Sequence, residues 1–142
     1  MKKNQQGFTL IELMIVIAII AILMSYAIPA YRDYTIRAKA GEGVSLAAGA
    51  KQSVSEYFIN EGAWPANNAT AGLAASNTII GENVGDIKVA KGIITVTFSN
   101  DTTIANKNLT LSPTAAANGG SVQWVCGKGN MEVRYLPVDC RN

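Results

Sequence analysis

Histidine is absent from all 142 residues. That removes the commonest general acid and base, the Ser-His and Cys-His nucleophile pairs, and every zinc site that needs an imidazole. Charge is scarce as well: 15% of residues are Asp, Glu, Lys or Arg, with 12 basic and 10 acidic side chains scattered rather than clustered. A net charge of +2 with no basic patch implies no polyanion partner. Four prolines beside 13 glycines exclude a collagen-like chain, and 49% hydrophobic residues argue against disorder. No internal repeat is visible. Glycine-rich pieces at Gly41-Glu42-Gly43 and Gly127-Lys128-Gly129 lack the strand-then-helix setting of a phosphate loop, and no nucleophile elbow occurs. Catalysis has no visible residues, no cofactor or small-molecule substrate is implied, and the length suits one modest domain plus one special segment.

That segment is at the start. Leu13 to Met24 is unbroken apolar, and with its flanks the run reaches about 21 residues, enough for a helix of about 30 Å that crosses bilayer hydrocarbon. Glu12 is its only charge. A secretory signal peptide is the competing reading, with Lys2 and Lys3 as the basic region and Ile28-Pro29-Ala30 as the cleavage site. Against it stand the length of the run and the acid itself. A carboxylate at membrane depth costs roughly 2.5 to 3.5 kcal/mol, which marks Glu12 as a functional residue in search of a partner.

The residues Gly7-Phe8-Thr9-Leu10-Ile11-Glu12-Leu13, behind a short Lys-bearing leader and ahead of the apolar run, resemble the class III signal of type IV prepilins. The resemblance covers Lys2 to Tyr34, and Ala27-Ile28-Pro29-Ala30-Tyr31 with Asp33-Tyr34 fit the type IVa group. It implies cleavage between Gly7 and Phe8 by a membrane prepilin peptidase that also methylates the new Phe8 amine. It further implies an α+β fold: a long N-terminal helix whose hydrophobic half is membrane span and filament core, and whose amphipathic half packs on a four-stranded antiparallel sheet. The implied product is a structural subunit of a type IV pilus; a pseudopilin of a type II secretion system is the alternative. Implied partners are identical subunits, the peptidase, the inner-membrane assembly platform, membrane lipid before assembly and, at filament level, a host-surface receptor or DNA. Ala21 stands where the family usually has a glycine that lets the rod unwind toward Pro29.

Cleavage would turn the Phe8 nitrogen into an α-amine, largely cationic at neutral pH with a reference pKa of about 7.7 to 8.0. The expected partner is Glu12 of an adjacent subunit, with a pair inside one chain, four residues apart, as the alternative. Loss of Lys2 and Lys3 with the leader leaves 10 basic against 10 acidic side chains, so copies meet little net repulsion.

Downstream, Pro29 should kink the helix without ending it. Ile36, Ala40, Val44, Ala47, Ala50, Val54 and Phe58 recur every three or four residues and predict an amphipathic helix over 31–60. Residues 61–86 read as a connecting loop with a short strand at Thr78–Ile80, and 87–142 as the sheet. Alternation predicts strands at Ile94–Phe98, Leu109–Leu111, Val122–Trp124 and Val133–Tyr135, the last two joined by a hairpin at Gly127-Lys128-Gly129-Asn130. Cys126 and Cys140 read as one disulfide in an exported segment, with metal binding or a redox pair as weaker alternatives. The resemblance adds that such a C-terminal disulfide loop, here Gly127 to Asp139, contacts host surfaces in some members. Three Asn-x-Thr triplets, at Asn68, Asn100 and Asn108, are assigned no function.

Overall fold

The computed structural model describes residues 7–115 and 121–141; most of the expected leader, residues 1–6, lies outside the described residues. The chain divides into two compact units after Asp33. Helix α1 spans Leu10–Leu46 and α2 spans Ala48–Glu61. Only Ala47 separates them, and it stays in the right-handed region at φ −71° and ψ −7°. The Ala47 N–H donates to the Gly43 carbonyl at 3.0 Å and Lys51 N–H donates to the Ala47 carbonyl at 2.9 Å, so the helical bonding passes through the junction. Gly62 ends α2 in the left-handed conformation at φ 69°, donating its N–H to the Phe58 carbonyl, the usual glycine solution for a helix C-terminus.

In the first unit every side chain described up to Arg32 is exposed. The second unit has a core. Ile36, Ala40, Gly43, Ala47, Ala50 and Val54 are buried along one helical stripe, with Val44 and Phe58 half-buried at its margins. Small side chains dominate that stripe and let the helix lie close on the sheet. A Cβ added to Gly43 would sit 2.7 Å and 2.8 Å from the Phe98 ring and 2.9 Å from Val96 Cγ1.

The sheet is antiparallel throughout, in the order β1-β2-β3-β4, with β1 Val84–Ala90, β2 Ile93–Phe98, β3 Asn108–Ala115 and β4 Val122–Gly127. Val84, Ile87, Val89, Ile94, Val96, Phe98, Leu109 and Leu111 bury their side chains. Three strands fall where alternation places them; the fourth does not. Val133–Tyr135 is a short 3-10 turn with Val133 exposed and Tyr135 buried, because the chain is turning back here toward the Cys126 bond instead of extending. The fourth strand is β1, whose register shifts between Val84 and Asp86. That bulge spaces the buried residues 84, 87 and 89 and breaks the period of two by which a strand is read. The expected strand at Thr78–Ile80 is also absent; Ser76–Thr78 forms a 3-10 turn in which Thr78 bonds back to Ala75 through both its N–H and its hydroxyl.

The outer edge of β1 is closed by the preceding loop. Asn68 is buried, and its carboxamide copies a strand: Nδ2 donates to the Ile87 carbonyl at 2.9 Å and the Val89 N–H donates to Oδ1 at 2.7 Å. A bridge between Asn67 and Ala90 continues the pairing. An edge covered in this way offers no free ladder to another chain, and Asn68, with its amide buried and engaged, is no glycan acceptor in the folded protein.

Candidate functional site

Gly7, Phe8 and Thr9 precede the helix, and Phe8 is 89% exposed. The first turn is closed by a reciprocal bond between Thr9 and Glu12. The Thr9 N–H donates to Glu12 Oε2 at 2.8 Å, the Thr9 hydroxyl donates to the same oxygen at 2.7 Å, and the Glu12 N–H approaches Thr9 Oγ1 at 3.4 Å. This is a capping box, in which Thr at the helix boundary and Glu three residues on satisfy donors that a helix start otherwise leaves open. Thr9 lies outside the site expected from sequence, although T-x-x-E ahead of an apolar run is the signal that finds it. The acid expected to seek the Phe8 nitrogen therefore already holds one local partner.

Beyond the box the helix is apolar on all sides. Leu10, Ile11, Leu13, Met14 and the residues that follow through Ile28 leave their large side chains exposed, and none of the most hydropathic 18-residue window is buried within the chain. Length and composition allow this helix to cross a membrane. Pro29 lies inside α1, where it has no N–H to return to the preceding turn, and α1 continues past it to Leu46. Four residues earlier Ser25 turns its hydroxyl onto the Ile22 carbonyl at 2.7 Å.

In the second unit, polar side chains of α1 tie separate segments to the helix. The Arg37 guanidinium donates to the Arg134 carbonyl at 2.9 Å, and Glu42 accepts both the backbone N–H and the side-chain amide of Asn83. Lys39 meets Asp101 at 2.5 Å. That ammonium, helped by the Thr103 N–H, holds the Asp101 carboxyl below the usual aspartate range. Cys126 and Cys140 are joined in a disulfide, their Cα atoms 4.6 Å apart and 14 residues apart in sequence. Beside it lies a cavity of about 230 Å³ lined by Val44, Leu111 and Trp124 and, at its polar margin, by Lys51 and Asp139. The expected hairpin at Gly127 to Asn130 is a turn. Met131 N–H returns to the Lys128 carbonyl, and Asn108 and Asn130 exchange backbone-to-side-chain bonds across it. Among the described residues no cluster of three His, Cys, Asp or Glu side chains could hold a metal.

Comparison with known proteins follows the same division of the chain. Residues 2–28 match the prokaryotic N-terminal methylation motif, and residues 36–141 match the family model for pilin, the bacterial filament protein. The chain is 41% identical to a type IV major pilin protein PilE of Neisseria gonorrhoeae, over all of this chain and 97% of that one. It is 47% identical to the fimbrial protein EcpC of Eikenella corrodens, over all of this chain and 94% of the relative. A fimbrial protein of Neisseria meningitidis is 48% identical over 90% of this chain and 76% of its own length. A methylation motif ahead of a pilin domain, and relatives over the full length of the chain that are themselves a type IV major pilin and a fimbrial protein, agree with this architecture, and the chain belongs to the type IV pilin family.

Proposed function

We propose that the chain is the structural subunit of a type IV pilus, made as a membrane-anchored precursor and polymerised through its N-terminal helix. The observation that carries this reading is the helix of the first unit, apolar all round and exposed, with none of its most hydropathic window buried by the described residues. Lipid shields such a rod before assembly and sister rods shield it afterwards.

Processing gives assembly its order. Cleavage between Gly7 and Phe8 creates an amine near the start of the helix, methylation of that amine keeps its charge, and Glu12 of an adjacent copy pairs with it among the packed rods. The exposed, non-helical Gly7–Phe8 segment supports access by a prepilin peptidase. Only processed chains would then dock in register, since an uncleaved Phe8 offers a neutral peptide nitrogen. The assembly platform of the inner membrane moves subunits from lipid to fibre. Adhesion to host surfaces, twitching motility and DNA uptake belong to the assembled filament, with the Cys126–Cys140 loop as the surface on which adhesion would act.

Mass measurement on sheared surface fibres tests the reading. The expected dominant species begins at N-methylated Phe8 and is lighter by the two hydrogens of the disulfide. A soluble species beginning at Tyr31 would mean that the apolar helix is a discarded signal peptide.

A further inference from the structure

We propose that Thr9 is a positioning residue for assembly: it fixes the Glu12 carboxylate through Oε2 so that Oε1 is left to receive the Phe8 α-amine of a second copy. This rests on the reading that Glu12 pairs with that amine, and adds what makes the acid ready for it. Both Thr9 donors converge on Oε2, at 2.8 Å and 2.7 Å, and among the described residues no donor reaches Oε1. A glutamate on an exposed helix turn otherwise samples many rotamers. Two bonds to one oxygen select among them before a neighbour arrives, so less freedom is lost on docking.

The same geometry favours the partner's amine over the chain's own. An intrachain pair would require the Phe8 nitrogen to fold back onto a carboxylate one of whose oxygens already takes two bonds from the residue between them. Phe8 instead lies outside the helix with its side chain exposed, and helix bonding begins only with the Leu13 N–H donating to the Thr9 carbonyl. Once rods replace lipid and water around the site, the unpaired oxygen of an ionised carboxylate is costly. A cation delivered from outside the chain satisfies it without breaking the box.

The test uses full-length chains expressed beside wild-type subunits. The variant fraction in sheared filaments is measured against the variant fraction in the membrane pool, and only species that begin at Phe8 are counted. Thr9→Val, which keeps the shape and loses the hydroxyl, should enter filaments about tenfold less often, the equilibrium counterpart of losing one helix cap. Thr9→Ser should enter as wild type does. In a Glu12→Ala background Thr9→Val should add no further loss. The positioning role is overturned, with the Glu12 pairing intact, if Glu12→Ala is excluded while Thr9→Val enters freely, if Ser does not rescue, or if the two losses multiply. If Glu12→Ala itself enters freely, the pairing fails and the role of Thr9 falls with it.

Discussion

Three glycines on one helical segment should answer the same substitution with opposite signs. Gly41 and Gly49 have no atom within 4 Å of an added Cβ, whereas at Gly43 the added methyl would stand 2.7 to 2.9 Å from the Phe98 ring and Val96 Cγ1. Replacing helical Gly by Ala is worth about 1 kcal/mol wherever the space is free, so Gly41→Ala and Gly49→Ala should each stabilise by close to that amount. At Gly43 the same gain is set against overpacking of roughly 1–3 kcal/mol. Relief is hard to find there: Phe98 is 1% exposed and Val96 fully buried, each held by neighbours in the core. The balance is a net loss of about 1 kcal/mol. For a domain of this size each kcal/mol moves the melting temperature by roughly 4–8 °C, so the two kinds of variant should separate by at least that. Near-ultraviolet circular dichroism of the detergent-solubilised full chain reads the transition through Trp64 and Trp124. If all three variants shift in the same direction, the close approach of α1 to the sheet at Gly43 is wrong.

Opening the Cys126–Cys140 bond by Cys140→Ser should cost about 3 kcal/mol on the chain-entropy account of a loop this short, read as a lowered denaturant midpoint; an unchanged midpoint would mean that the C-terminal segment is held by its other contacts alone. Asp101→Asn should cost about 0.5–1 kcal/mol at pH 7, the scale of a partly exposed pair. Because the folded carboxyl titrates below its unfolded value, that contribution is full above about pH 4 and is lost as pH falls through the lowered pKa. The variant and wild-type stabilities should therefore converge in acid, and a gap that persists there removes the Lys39–Asp101 pair as its cause. Ile15→Asn, Val16→Asn and Ile17→Asn, each about 100° further round the helix, should all depress incorporation into mixed filaments. A position that accepts Asn without loss would show that the rod is not enclosed on that side.

What was legible in the sequence was what is local. The apolar run and the stripe from Ile36 to Phe58 depend on neighbours within a few positions, and the structure carries them into a helix and a buried face, while the lone cysteine pair, 14 residues apart, leaves one bond to make. β1 was hidden because its bulge shifts the burial pattern after Val84, and because Gly85 and Asp86 read as loop. Val133–Tyr135 has the alternation of a strand, but a bond to Cys126 14 residues behind Cys140 demands a return path, and tertiary closure outweighs a three-residue pattern. Asn68 is the plainest case of what cannot be read: as a triplet it suggests a modification site, and only the position of Ile87 and Val89 turns it into the cover of a sheet edge. The Thr9–Glu12 box lies between these extremes. Its T-x-x-E spacing is plain in the sequence, but a buried-charge argument for Glu12 points to a cation, whereas the partner three residues away is neutral.

The two halves of the helical segment follow different rules because they solve different problems. From Tyr34 onward one stripe suffices, since one sheet covers one face, and the polar residues Arg37, Lys39 and Glu42 at its margins are engaged by other segments of the chain. From Leu10 to Ile28 a single apolar face would serve only a pairwise contact, yet apolar side chains stand exposed around the whole circumference. A helix of that kind is stable only where every side meets hydrocarbon, in a bilayer or at the centre of several like helices. Glu12 sits at the margin of that region, where its charge is tolerable beside water and headgroups and expensive once buried among rods. Under the proposed pairing with the Phe8 amine of a second copy, the acid would oppose partial or misregistered packing and favour the one arrangement that brings it a cation. On the proposed assembly, a sequence with no catalytic residue in view would still specify a reaction of a kind, the transfer of one surface from lipid to copies of itself.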